Sequence, residues 1–305
     1  MSTKNDHSLL VVGSIAFDSI ETPSGSVDDA LGGSATYFSY AASFFVAPRL
    51  VGVVGEDFPE EHKRLFASRK IDTAGLVTLP GLTFRWKGRY HQDLNTRDTI
   101  AVHLNVLADF DPRLPEQFRD STHIFLGNSS PALHARVLDQ IRRPRFVMAD
   151  TMDLWIDTQR DDLLKLLPRL DGLLLNDSEA HLLTGQDNMV RAGKAILQLG
   201  PKFVIIKKGE HGAMLFSQEG VFVIPAYPTG EVVDPTGAGD SFAGGIMGHL
   251  TSDDSPPPGR LRRAMAYGTV VASLTVEGFG LDRLKRSERR EIEERIEKYR
   301  NMLAF

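Results

Sequence analysis

The chain has 305 residues, 42% of them hydrophobic, and no cysteine, which supplies a core for one large α/β domain or two modest ones and excludes disulfides, thiolate nucleophiles and cysteine-based zinc sites. A net charge of -5 and a pI near 6.0 leave no excess of Lys and Arg to displace counterions from a phosphate backbone, so small ligands rather than nucleic acid are the expected partners. No run reaches the ~18 apolar residues of a membrane span, and Leu9 to Phe17, flanked by Asp6 and Asp18, reads as a buried first strand rather than a signal-peptide core, in a cytoplasmic protein.

Taken in chain order, short apolar runs alternate with amphipathic stretches. Leu9 to Gly13 predicts a strand, Ala35 to Ser43 a helix, Arg49 to Val54 a strand and Glu60 to Ser68 a helix. The alternation resumes later with strands at His123 to Leu126, Phe146 to Ala149, Gly172 to Leu175, Phe203 to Lys207 and Ala213 to Phe216. Helices are expected between them at Ala132 to Gln140, Asp161 to Leu167 and Val190 to Leu199. Such an order implies a mostly parallel sheet covered on both faces, with ligands outside the carboxyl ends of its strands. Residues 14–30 and 82–106 break the pattern. The second stretch alternates like a strand pair, with Phe84, Trp86 and Val102 as inward candidates. Both could form a small sheet that acts as a lid excluding water, or an ordinary surface hairpin. Ser252 to Gly259 reads as a Pro-rich surface loop between helices. Beyond Asp282, the helical spacing of Leu284, Ile292, Ile296, Tyr299 and Leu303 predicts a terminal helix with a charged solvated face.

Residues 234–242 read Asp-Pro-Thr-Gly-Ala-Gly-Asp-Ser-Phe. Gly237, Ala238 and Gly239 can turn their amides inward as an anion-binding nest, and the apolar run that follows opens a helix whose positive dipole end faces the same point. Asp240, in the first helical turn, either caps that helix or takes a proton during a transfer reaction. Gly32 and Gly33 precede another predicted helix and allow close approach of backbone to a ligand, or simply a tight turn. Asn176 and Glu179 have the spacing of a capping box. Lys207 to Gly212 joins two apolar runs and by itself is compatible with a hairpin turn. Neither a Gly-x-Gly-x-x-Gly fingerprint after the first strand nor a Gly-x-x-x-x-Gly-Lys-Ser/Thr loop is present, so dinucleotide-dependent oxidoreduction and P-loop chemistry are excluded.

In this order, Gly13 and Asp18, Gly32-Gly33, Asn-x-x-Glu, Lys-Gly-x-x-Gly and Asp-x-Thr-Gly-Ala-Gly-Asp, the set resembles the ribokinase (PfkB) carbohydrate kinase family over nearly the whole chain. The resemblance implies one ribokinase-like domain over residues 1–305: a three-layer α/β sandwich with a mostly parallel sheet between helices, and a small β lid built from residues 14–30 and 82–106. It implies transfer of the γ-phosphoryl group of ATP to a hydroxyl of a small polyhydroxylated acceptor, a sugar first and a nucleoside as the alternative. Asp240 would be the general base, with Gly237, Ala238 and Gly239 as the anion hole. Asn176 and Glu179 would position Mg2+ through water. Lys208, Gly209 and Gly212 would form the nucleotide-side loop, with the base and ribose near 207–212 and the segment after 268. Asp18, Gly32, Gly33 and Tyr37 would face the acceptor, and Asp234 and Thr236 would help hold K+. Relatives often pair through their lids, which implies a homodimer. A ligand-binding regulator on the same fold would have lost Asp240 or the glycine turn, and this sequence keeps both.

Two departures from the family pattern bear on the acceptor. Tyr37 stands where many relatives have Asn; its ring could stack on a nucleobase or an apolar sugar face, or pack against the sheet. Asp150 opens Asp-Thr-Met-Asp-Leu-Trp where relatives have Asp-Pro-Asn, and reads as a strand-end residue near phosphate. The lid candidate carries Arg85, Arg89, Arg97 and His91, which either recognise an acidic or phosphorylated acceptor or serve as solvated and lid-to-lid residues.

Overall fold

The predicted apolar runs lie side by side in a computed structural model that describes residues 7–253 and 259–304; most of the Pro-rich tract, residues 254–258, falls outside them. In chain order the strands are β1 (Leu9–Val12), β2 (Ala16–Thr22), β3 (Gly25–Gly32), β4 (Arg49–Gly55), β5 (Asp72–Leu79), β6 (Phe84–Tyr90), β7 (Arg97–His103), β8 (His123–Leu126), β9 (Phe146–Asp150), β10 (Gly172–Asn176), β11 (Phe203–Lys207), β12 (Ala213–Ser217) and β13 (Gly220–Ile224). Nine of them form one sheet, ordered β13-β12-β11-β10-β9-β8-β1-β4-β5. It is parallel from β11 through β5 and ends in the antiparallel β12 and β13. The chain builds outward from β1 in both directions, and this reversal puts a crevice at the carboxyl edge beside β1.

The side-chain period of two divides each strand between two cores. Leu9 and Val11 join one apolar cluster and Leu10 and Val12 the other. In β10, Leu174 faces the first cluster and Leu173 and Leu175 the second. Near-continuous apolar strands are what a sheet covered on both faces requires, and these positions are 0% exposed.

One helix deserves its glycines. In Ala238–Ser252 a Cβ on Gly244 would stand 2.4 Å from the Phe38 carbonyl, and one on Gly245 would stand 2.8 Å from the Gly268 Cα. Bare backbone there lets the Ser34–Ala42 and Arg260–Thr275 helices pack tightly on either side. Its amino-terminal turn is thereby held rigidly at the carboxyl edge of the sheet.

The two stretches that break the alternation meet in a second sheet, ordered β3-β2-β6-β7. Thr22 donates its hydroxyl to the Val233 carbonyl at 2.8 Å and Ser24 to Val232 at 3.3 Å, which anchors this sheet to the segment leading into the glycine turn. Phe84 and Trp86 are half-buried as expected. Val102 is not: it lies on the edge strand β7 and stays 48% exposed. Leu284, Ile292, Ile296 and Tyr299 are buried under the terminal helix Arg289–Leu303, whereas Leu303, in its last turn, is exposed where the helix runs past the body it packs on. Among the described residues no helix is long and apolar enough to cross a membrane.

Candidate active site

Asp234 and Gly237 set the shape of the central loop. Asp234, 0% exposed, accepts the Thr236 amide at 2.8 Å on one carboxylate oxygen and the Gly280 amide at 3.3 Å on the other. Burial raises its pKa against these bonds. Gly237 adopts φ +74, and its carbonyl accepts the Ser241 amide at 2.8 Å, the first bond of the helix. Of the three amides expected to point inward, that of Ala238 instead closes the turn onto the Pro235 carbonyl at 3.2 Å. Gly239, in the first helical turn, has no intrahelical acceptor for its amide, and its Cα lies beside the Lys207 ammonium: a Cβ there would be 3.2 Å from Nζ.

Lys207, to which the sequence analysis assigned no role, enters this group of charges. It ends β11, its Nζ bridges both oxygens of Asp150 at 3.1 and 3.0 Å, and it lines the cavity beside the turn. Lys208 does not line it; its amide donates to Gly212 at 2.8 Å and closes the loop. Lys207 is the last residue of β11 and registers with Asn176 at the carboxyl edge of β10, whereas Lys208 lies beyond the strand, in the turn that leads to Gly212. Burial would lower the Lys207 pKa, but Asp150 and Glu179 more than offset this and raise it. Asp150, the residue at the end of β9, is buried.

Asn176 and Glu179 form a complete capping box. The Asn176 side chain accepts the Glu179 amide at 2.8 Å, and Glu179 Oε2 accepts the Asn176 amide at 2.7 Å. The second Glu179 oxygen remains for another partner. Burial lifts this carboxyl to about 7, with Lys207 opposing and Asp150 adding. Asp240, half-buried at the helix start, is also raised to about 7, by burial first and then by Asp150, with Lys207 and Arg97 pulling the other way.

Asp18 gathers with the Gly-Gly pair beneath the lid. Its carboxyl is 5% exposed and raised to about 7 by burial, with the Gly33 amide opposing and the charges of Asp234 and Asp240 adding. Gly32 makes the place for it, since a Cβ there would sit 1.9 Å from Asp18 Oδ2. On the kinase reading that the resemblance implies, Gly32→Ala should displace the carboxylate and raise the acceptor KM at least ~10-fold, the worth of one hydrogen bond to a charged group, with a smaller change in the ATP KM. Steady-state kinetics with each substrate varied would show it, and unchanged acceptor KM would remove Asp18 from the acceptor site.

Tyr37 is 1% exposed and its ring lies against Gly237: a Cβ on that glycine would be 2.3 Å from the ring. Of the two fates open to it, packing is the one observed. Its hydroxyl has no hydrogen-bond partner and its pKa stands well above 10, through burial and then the charge of Asp18. On the lid side Tyr90, another residue the sequence reading did not single out, meets the Thr236 hydroxyl at 3.2 Å. The turn is thus held between two tyrosines.

The lid arginines divide. Arg85 pairs with Asp29 and, at 3.0 Å, with Asp57; Arg89 pairs with Glu21 at 3.0 Å; His91 meets Asp98 at 3.0 Å. Only Arg97 of this group turns to the site, beside the Tyr90 hydroxyl, close enough to Asp240 to lower its pKa, and 5.9 Å from the Trp86 ring centroid. Trp86 registers with Asp18 across β2 and β6, so both side chains share one face of the lid sheet.

On the opposite side of the turn from Asp18 and Tyr37 lies a cavity of about 520 Å3, a size that suits a small organic ligand. Gly209, Gly212, Ala238 and Gly239 line its polar end, and Ala226, Ala272 and Val276 belong to its apolar wall. Asp240 lies close enough to Lys207, which lines this cavity, and to Asp18, which does not, for their charges to act on one another. A carboxylate with a ligand-sized cavity on one hand and a buried polar group of the lid sheet on the other can serve transfer of a group from a donor to an acceptor.

Comparison with known proteins agrees with this arrangement. Residues 3–286 match the pfkB family carbohydrate kinases. A cytidine kinase of Thermococcus kodakarensis is 29% identical over 246 residues, covering 78% of this chain and 87% of that protein. An inositol 3-kinase of Arabidopsis thaliana is 25% identical over 286 residues, covering 89% and 74%. Among solved structures, a Burkholderia thailandensis nucleoside kinase in complex with inosine superposes with a TM-score of 0.78 at 21% identity, over 95% of this chain and 97% of that one. An aminoimidazole riboside kinase of Salmonella enterica, complexed with aminoimidazole riboside and an ATP analog, gives 0.75 at 19% identity, over 95% and 100%. These likenesses share the large sheet with its smaller companion, the ribokinase fold. With a family match over nearly its whole length and the glycine turn, acid and lid in their places, the chain belongs to the pfkB family of carbohydrate kinases.

Proposed function

We propose that the protein transfers the γ-phosphoryl group of ATP to a hydroxyl of a small polyhydroxylated acceptor, with Asp240 as general base. The observation that carries this reading is the place of Asp240 at the start of the helix behind the glycine turn, within reach of the charges of both Lys207 and Asp18, with a pKa raised to about 7 by burial, near the value that a base working at neutral pH needs. Its carboxylate accepts the acceptor's hydroxyl proton as that oxygen attacks phosphorus in line. The bond from phosphorus to the β,γ-bridging oxygen breaks and ADP leaves. The amides of Gly237 and Gly239, with the Lys207 ammonium beside them, stabilise charge on the transferring group, while that of Ala238 is spent on closing the turn.

Glu179, with one carboxylate oxygen uncommitted and its charge desolvated, fits Mg2+ held through water, with Asn176 fixing its orientation. The ion, when bound with ATP, neutralises phosphate charge. Asp234, fully buried with only amide and hydroxyl partners, fits a K+ ion behind the turn, and Thr236 shapes the same loop.

For the acceptor, the ribose of a nucleoside is the first reading and a free sugar the second. Trp86 shares the lid face with Asp18, so hydroxyls on Asp18 would leave a base within reach of an indole that can stack on it. The cytidine kinase resemblance supports the same order. Arg97 is the one lid arginine placed to meet an anionic group, and an acidic acceptor is correspondingly less favoured now that Arg85 and Arg89 are committed to Asp57 and Glu21. We propose a single cytoplasmic kinase domain, with lid-to-lid pairing as its route to a homodimer. The test is ATP consumption by the purified chain, with magnesium and potassium, against nucleosides, free pentoses and hexoses, inositols and sugar phosphates. Turnover with nucleosides that falls at least ~10-fold in Trp86→Ala, the worth of one base–aromatic stack, supports the first reading. Turnover with free sugars that ignores Trp86 favours the second.

A further inference from the structure

The hairpin that joins β6 and β7 reaches past the acceptor pocket. Its tip, residues 91–96, arrives at the 520 Å3 cavity beside the glycine turn, where Asp93, Leu94 and Asn95 are lining residues together with Gly209 and Glu210. Asn95 donates its side-chain amide to Glu210 Oε1 at 3.4 Å, and its Oδ1 lies so close over Gly209 that a Cβ there would be 2.8 Å away.

The tip is built rather than loose. Asp93 Oδ1 accepts the amides of Asn95 at 3.1 Å and Thr96 at 2.9 Å, and Oδ2 accepts the Thr96 hydroxyl at 2.7 Å. The His91 amide donates to the Thr96 carbonyl at 2.9 Å. Leu94 takes φ +54, a conformation that branched and bulky residues avoid and that turns usually give to glycine or asparagine. It is also the one residue of 91–96 that is not exposed. An apolar side chain is thus presented to the cavity at the expense of local strain, the pattern found at ligand clamps.

Resting on the kinase reading above, we propose that Leu94 and Asn95 are nucleotide-binding residues supplied by the lid: Leu94 covers the bound ATP and Asn95 latches the tip to the 209–212 loop. The latch alone is weak, being one long hydrogen bond between exposed groups. Apolar contact between Leu94 and the nucleotide completes it. Because the same sheet carries Asp18 and Trp86, an acceptor that draws the lid down tightens the nucleotide site, and by linkage the nucleotide tightens the acceptor site by the same factor.

The experiment measures binding of AMP-PNP with Mg2+ to the full chain by calorimetry, with thermal melting alongside. Leu94→Gly should melt no lower than the wild type, because glycine accepts the positive φ, yet bind the analogue ~5- to 20-fold more weakly, as partial exposure of one leucine implies. Asn95→Asp sets a carboxylate against Glu210 and should weaken binding, and Asn95→Asp combined with Glu210→Gln should recover most of the loss. Wild-type affinity in Leu94→Gly and Asn95→Asp would overturn the lid-tip assignment and leave the kinase reading standing. A wild-type chain that binds no AMP-PNP would overturn the kinase reading itself.

Discussion

Asp240→Asn should lower turnover by ~10² to 10⁴, the usual worth of a positioned general base, while leaving nucleotide binding within a few-fold of wild type. Asparagine keeps the shape and the place at the helix start but cannot take the hydroxyl proton. The same replacement should stabilise the fold at pH 8. Burial holds the folded-state pKa near 7, against 3.8 for an unperturbed aspartate. The folded chain therefore keeps the proton over that window, and the stabilisation present below pH ~4 is lost as pH rises through about 7. Removing the charge should recover on the order of 1–3 kcal/mol at pH 8 and almost nothing at pH 4, read as the difference between urea unfolding curves. In the wild type, kcat/KM should climb with pH and level off above about 7. Because Asp18 and Glu179 titrate in the same range, that limb should be steeper than a single ionisation. A flat profile between pH 5 and 8 would mean that no buried carboxylate governs the reaction.

Gly237→Ala should be the most damaging small substitution in the chain. The new methyl would meet three atoms of the Tyr37 ring at 2.3, 2.4 and 2.5 Å, and the residue would have to hold φ +74. The left-handed backbone costs ~1–2 kcal/mol for an L-residue, and forcing aside a fully buried ring adds ~1–3 kcal/mol. Destabilisation of ~2–4 kcal/mol and loss of more than ~99% of activity should follow, because the Gly237 carbonyl also anchors the first helical bond. Replacing Tyr37 by Asn as well should relieve the steric part and leave the backbone part, so the two changes should combine with less damage than their sum. Wild-type stability for Gly237→Ala would show that the turn is looser than its contacts imply.

The residues that were easiest to read were those whose local chemistry and tertiary role coincide. The strands at His123–Leu126 and Phe203–Lys207 and the helix at Glu60–Ser68 have the bounds that their apolar pattern predicts, since burial on one or two faces leaves a plain periodicity. The Asp-Pro-Thr-Gly-Ala-Gly-Asp turn announces itself through its glycines, of which Gly237 holds a positive φ against the Tyr37 ring. β5 escaped notice because it is an edge strand, polar at Asp72, Thr73 and Thr78, and mostly uncovered. Lys207 drew no role in the sequence because its partner Asp150 lies 57 residues away, and spacing carries no signal for such a pair. The lid arginines looked like an anion trap in one dimension. Their acidic partners, Asp29, Asp57 and Glu21, lie 28 to 68 residues away in the chain, and sequence spacing carries no signal for such pairs. Tyr90 and the lid tip carry no signal in the sequence, because their contacts, with Thr236 and with the rim of the cavity, are made across more than 100 residues of chain.

The most direct test is ADP formation by the wild-type chain and Asp240→Asn, each with magnesium, potassium and saturating ATP, in the presence and absence of a nucleoside or sugar acceptor. The account predicts ADP formation that depends on the acceptor and nearly vanishes in Asp240→Asn, with the phosphoryl group recovered on the acceptor. Equal ADP formation by the two proteins, or acceptor binding with no turnover by the wild type, would contradict it.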